Sequence, residues 1–135
     1  MTRFMLDTSV CVELLGGRGP GLLERLRQFE IDEIAISSIT LAELQYGVAK
    51  SARPGHHQVL LAEFCAPLAL LPFDAIAAET YGQVRTALEG TGTPIGPLDT
   101  LIASHALSLG VTLVTNNERE FLRVAGLPVE NWLAQ

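Results

Sequence analysis

Short apolar runs alternate with stretches of helical spacing along the whole chain, and this alternation limits the architecture more than any other feature. Arg3 to Leu6 reads as a strand, and Thr8 or Ser9 can cap a helix to about Leu15, where Gly16-Gly17 ends it. Pro20 opens a second helix through about Phe29. The segment Glu30 to Ser37 contains a strand centred on Ile34, Ala35 and Ile36, and a helix from Ser38 or Thr40 runs to about Ser51. After a loop at Ser51 to Gly55 come a helix over His56 to Cys65, a strand at Leu68 to Leu71, and a long helix from Asp74 to about Glu89. Gly96-Pro97 opens a helix that ends at Gly110, followed by a strand from Val111 to Thr115. A short helix follows Asn117, and Val129 to Trp132 forms an edge strand. Strands separated by helices must pair in parallel, because each crossover returns the chain to the same end of the sheet. The expectation is one α/β domain over residues 1–135: a central parallel sheet of four to five short strands with helices on both faces.

In such sheets, sites form beyond the carboxyl ends of the strands. Four phrases present polar groups there: FMLDTSV with Asp7, SSITLAELQYGV with Glu43, TPIGPLDTLIASHAL with Asp99, and LVTNNEREF with Asn117 and Glu120. Each has a local structural explanation. Asp7 can cap the first helix, Thr40-x-x-Glu43 and Asn117-x-x-Glu120 match capping boxes, and Asp99 suits the positive end of its helix. Capping does not require all of them to share one edge, however. Carboxylates gathered there repel one another unless a cation lies between them, and an all-oxygen donor set suits Mg²⁺ or Mn²⁺ rather than zinc.

The formal net charge is −6, which argues against attachment to nucleic acid by bulk charge alone. Arg18, Arg25 and Arg27 lie close together, either as a solvated helix face or as phosphate contacts. No apolar run reaches the roughly 18 residues of a membrane span, and the N-terminus lacks the apolar stretch of a secretory signal. A cytoplasmic protein is expected, with Cys11 and Cys65 as reduced thiols. His56, His57 and His105 are assigned structural or solvent roles, since His105 should face away from Asp99.

At these same residues the chain resembles the PIN-domain family, and within it the VapC-type ribonuclease toxins of bacterial toxin–antitoxin pairs. The resemblance rests on MLDTSV, ISSITLAELQYGVAKS, PIGPLDTLIASHAL, LVTNNEREF and a closing VENW, in this order and over nearly the whole length. It implies the three-layer α/β/α PIN fold and a metal-dependent endoribonuclease. Asp7 and Asp99 are then the central ligands of Mg²⁺ (with Mn²⁺ as a substitute), and Glu43 is the third acid, bound directly or through water. Thr8 or Ser9 resembles the small hydroxyl residue beside the first Asp. Many relatives carry a fourth acid after the last core strand, where Asn117 stands here. Glu120 is then placed just outside the metal ligands, and Asn117 is a polar orienter.

The same resemblance implies a homodimer with two acidic sites along a shared groove, and RNA as substrate, foremost the anticodon stem-loop of initiator tRNA. The implied partner is a VapB-type antitoxin, which alone would contact operator DNA. Its C-terminal tail would pack on an apolar groove near the first helices, with a basic side chain by the acids. Two alternatives follow from departures in the pattern. A PIN fold that only binds would account for Asn117. LDTSV also slightly resembles the aspartyl motif of haloacid dehalogenase-like phosphatases, but Ser9 stands where those need a second Asp, and Lys50 is the only lysine.

Overall fold

The computed structural model describes residues 1–133. Its elements are β1 (Phe4–Leu6), α1 (Thr8–Leu15), α2 (Pro20–Leu26), a 3₁₀ turn (Ile31–Glu33), β2 (Ile34–Ser37), α3 (Ser38–Ala49), α4 (Pro54–Cys65), β3 (Ala69–Leu71), α5 (Ala75–Gly90), α6 (Pro97–Leu109), β4 (Thr112–Val114), α7 (Glu118–Phe121) and β5 (Val129–Glu130). The strands form one sheet in the order β3-β2-β1-β4-β5, and every pairing is parallel.

The central strands alternate strictly between two cores, as the two-residue period of a strand requires. Phe4, Leu6, Ile34, Ile36 and Val114 face α1, α2, α3 and α4. Met5 and Leu113 face α5 and α6, together with Phe121, Val124 and Leu127. With helices packed on both faces, this is the expected three-layer α/β/α arrangement. Trp132 closes the first core against Phe4 and Phe29, with ring centroids 5.2 and 5.5 Å away.

The sheet order contains a reversal. From β1 the chain steps outward to β2 and β3, then returns to the other side of β1 as β4 and β5. The loops after β1 and β4 therefore diverge, and a crevice opens between them, where ligands bind in open parallel sheets. Asp7 follows β1 directly, and Thr115 follows β4 directly.

Some expectations need correction. Asp7, not Thr8 or Ser9, caps α1, because its carboxylate reaches the Val10 N–H. Helix α2 stops at Leu26, short of Phe29, and Ser37 caps α3 by accepting from Ile39 N–H. Glu43 therefore lies in the second turn of α3 rather than the first, and no capping box with Thr40 forms. The Asn117 side chain makes no cap bond either. Arg25 is not simply a solvated residue: its guanidinium stacks on Trp132 at 5.5 Å and pairs with Glu130 at 3.7 Å. Cys11 and Cys65 are free thiols, and burial pushes the Cys11 thiol well up from its ordinary value. Among the described residues, no helix is long and apolar enough to cross a membrane.

Candidate active site

Asp7 is the most buried acid of the site, at 3% exposure. Such a carboxylate must be supplied with donors. The Ser9 hydroxyl and the Val10 N–H donate to Oδ1 at 2.6 and 3.1 Å, and the Thr115 hydroxyl donates to Oδ2 at 2.5 Å. Burial raises the Asp7 pKa, and these donors oppose the rise. Thr115 is itself oriented by the Asn117 N–H at 2.8 Å, and Ser9 by the Asn116 N–H at 3.3 Å.

Glu43 reaches across from α3. The Thr8 hydroxyl donates to its Oε1 at 2.6 Å, joining the first turn of α1 to the second turn of α3. Asp99 occupies the third position of α6, after a Gly96 cap and Pro97. Its Oδ2 curls back over Gly96, and a Cβ added there would lie 3.5 Å from it.

Burial first, then the neighbouring Glu120 carboxyl, Asp7 and Glu43, push the Asp99 pKa to about 7. Two carboxyl groups this close can hydrogen-bond only if one holds a proton. Asp99 therefore feels three acids from three other parts of the crevice. As placed, the four form two pairs: Asp7 and Glu43 tied to hydroxyls, Asp99 and Glu120 beside each other. Among the described residues, no three His, Cys, Asp or Glu side chains stand close enough to clasp a single ion in this conformation.

A divalent cation nonetheless suits the residues present. The donors are all oxygens, and a cation would relieve the repulsion from Glu120, Asp7 and Glu43 that helps to raise the Asp99 pKa. Buried Asn116 Oδ1 has no hydrogen-bond partner and is a further oxygen beside Ser9.

Asn117 itself is exposed, and its link to the site runs through its backbone N–H. Sequence reasoning did not single out Thr115. A threonine at a strand end has no local signature, and only the pairing of β1 with β4 brings it to Asp7. Among the described residues, no histidine is hydrogen-bonded to the acids, though His57 lines the groove that reaches Glu43. His105 is 1% exposed and bonds Ser37, and His57 bonds Ser51.

A groove of about 290 Å³ runs from Thr8 and Glu43 between α1, α3 and α4, along Val12, Leu15, Val48 and Leu60. It joins the acidic crevice to an apolar trough.

The PIN domain model matches residues 4–127. The tRNA(fMet)-specific endonuclease VapC of Shigella flexneri is 42% identical over 132 residues, covering 98% of this chain and 99% of the relative. Ribonuclease VapC2 of Rickettsia felis is 45% identical, covering 96% and 97%. The crystal structure of DNA-bound VapBC from Salmonella typhimurium superposes with a TM-score of 0.94 at 42% identity, over 98% of this chain and 99% of that one.

Proposed function

The chain belongs to the PIN-domain family, and on that premise we propose that it is a metal-dependent endoribonuclease acting as the VapC-type toxin of a toxin–antitoxin pair. The observation that carries this reading is the set of acids Asp7, Glu43, Asp99 and Glu120 near the switch point of the sheet, with the Asp99 pKa pushed to about 7 by burial and by the other three. A fold gains no stability from such repulsion, so the cluster calls for a cationic ligand.

Asp7, Glu43 and Asp99 would hold Mg²⁺, or Mn²⁺ in its place, with Glu120 beside them. When bound, the ion supplies activation of water at neutral pH and offsets charge on a phosphodiester. The chain's own residues prepare for this. Ser9, Val10 and Thr115 hold both oxygens of Asp7, and Thr8 holds Glu43, so each acid starts from a defined orientation. The proton that Asp99 holds must leave as the cation enters, which makes loading pH-dependent. In this reading metal-activated water, rather than the ribose 2′-OH, is the attacking group, and the products carry 5′-phosphate and 3′-hydroxyl ends.

The relatives point to the substrate and partner: tRNA(fMet) is in the name of the Shigella enzyme, and the Salmonella structure is a VapBC complex on DNA. Initiator tRNA, cut in its anticodon stem-loop, is the substrate proposed here, and a VapB-type antitoxin is the inhibitor. The antitoxin tail fits the trough along Val12 and Leu60, where a basic side chain would meet Glu43. It alone would contact operator DNA. A cytoplasmic homodimer is part of the same proposal.

The test is cleavage of tRNA with mapping of the new ends. Asp7→Ala and Asp99→Ala should abolish cleavage while leaving the fold intact, and EDTA should silence the wild type. Activity in excess EDTA, or 2′,3′-cyclic phosphate ends, refutes the mechanism. Absence of cleavage together with absence of Mn²⁺ binding that Asp99→Asn removes would mark a binding module instead.

A further inference from the structure

Helices α3 and α6 each carry one acid of the site, and a single buried side-chain bond joins them. His105 Nδ1 on α6 lies 2.8 Å from the Oγ of Ser37, the cap of α3. The two residues are 68 apart in sequence and are 1% and 0% exposed. Each acid stands six residues from the end of this strap on its own helix, about 9 Å along the axis. Asp99 precedes His105 by that interval, and Glu43 follows Ser37 by it.

The chemistry of the bond is specific. Ser37 Oγ already accepts the Ile39 N–H at 3.0 Å, which leaves its own hydrogen to place. Donation to Nδ1 places it and puts the ring proton on Nε2. Burial lowers the His105 pKa, opposed by the Asp74 carboxylate, so the neutral ring that can accept is favoured. The ring is also clamped. Phe73 packs edge-on at 5.4 Å, and its N–H is fixed by Ser38 Oγ at 3.0 Å. The strap thus joins the β2–α3 junction to α6, with Phe73 packed against the ring. An apolar residue would fill the same volume, and only an acceptor at the Nδ1 position completes the Ser37 cap while joining the helices.

We infer that His105 is a positioning residue, which sets the spacing between Glu43 and Asp99 by accepting from Ser37 and so tunes how tightly the acids hold a divalent ion. The inference rests on the metal reading above. The strap touches neither acid, so its effect passes through packed helices, where such substitutions shift coupling by about twofold to thirtyfold.

The test uses two substitutions of similar polarity. In His105→Asn the amide oxygen stands near the position of Nδ1, and in His105→Gln it stands near that of Nε2. Mn²⁺ binding is measured by calorimetry on the full chain, with Asp99→Asn as the reference for loss of the site. His105→Asn should stay within about twofold of the wild type, and His105→Gln should bind at least about fivefold more weakly. The Mg²⁺ concentration for half-maximal cleavage should move in parallel, with the rate at saturation largely kept. Equal affinities for both variants, whether high or low, overturn the strap. If His105→Gln does not fold, His105→Asn and Ser37→Gly decide the matter. Asn must retain affinity, and Gly, which is tolerated as a cap but lacks the hydroxyl, must lose it; any other pattern refutes the role. A wild type without Asp99-dependent Mn²⁺ binding overturns the metal reading and the strap with it. Normal wild-type binding with indifferent His105 variants removes the strap alone.

Discussion

Replacing Asp99 by Asn should stabilise the metal-free protein while destroying its activity. Asp99 is a part-buried carboxyl whose pKa is raised from 3.8 to about 7 by burial and by Glu120, Asp7 and Glu43. Between these values the folded state holds a proton that the unfolded chain has lost. Stability therefore falls as pH rises through this window, because ionisation is disfavoured only in the folded state. In a site closed to water, the full displacement corresponds to about 4 kcal/mol, at 1.36 kcal/mol per pH unit. Solvent screening of a part-exposed group lowers the effective cost to about 1–2 kcal/mol. The substituted side chain would carry no charge and can donate its amide N–H to Glu120 without borrowing a proton. In EDTA at pH 8, Asp99→Asn should melt about 3–7 °C above the wild type. At pH 5 the folded pair keeps its proton but the unfolded carboxyl has mostly lost its own, so the gap should shrink to about two-fifths, closing only as the pH falls below 3.8. Saturating Mg²⁺ at pH 8 should raise the wild-type Tm and leave the variant unmoved. The assay is thermal unfolding by circular dichroism over a pH series. A variant that melts at or below the wild type at pH 8 without metal would falsify the claim that these acids repel one another.

Two further outcomes follow from the same geometry. Mn²⁺ affinity, read by calorimetry in buffers of different ionisation enthalpy, should fall by up to about tenfold per pH unit below about 7, with proton release on binding; pH-independent binding without proton release would refute the shared proton. Thr115→Val keeps shape but removes one of the donors to buried Asp7, so urea unfolding at pH 8 should show a loss of about 1.5–3 kcal/mol. The loss should be smaller at pH 5, where a larger share of Asp7 is protonated, and the acid limb of the cleavage profile should move to higher pH.

Much of the fold was legible because its signals are local. Pro20, Pro97 and Gly110 mark helix ends by what their backbones permit, with Gly110 at φ +68°. The runs around Met5, Ile36 and Leu113 are apolar because both faces of each strand are covered. Alternation of strand and helix then determined a parallel sheet. It also put Asp7 and Asp99 at the carboxyl edge, since each lies within a few residues of a strand end or a helix start. Glu43 stood out in the sequence but was placed a turn too early. Ser37 and Thr40 are both good caps, and local chemistry does not choose between them.

The rest was decided by tertiary structure. The order β3-β2-β1-β4-β5 sets β4 beside β1, and only that pairing brings Thr115 to Asp7 across 108 residues. The bonds of Thr8 to Glu43 and His105 to Ser37 span 35 and 68 residues, and no periodicity in the chain announces them. The sequence suggested an outer role for Glu120 and an orienting one for Asn117; in the fold Glu120 neighbours Asp99, while the exposed Asn117 acts through its backbone N–H on Thr115. The physical reason is the range of the forces. Backbone preference and hydrophobic period act within a few residues and can be read along the chain. Hydrogen bonding and repulsion between carboxylates act through space, and they take effect only where the fold has brought distant residues together.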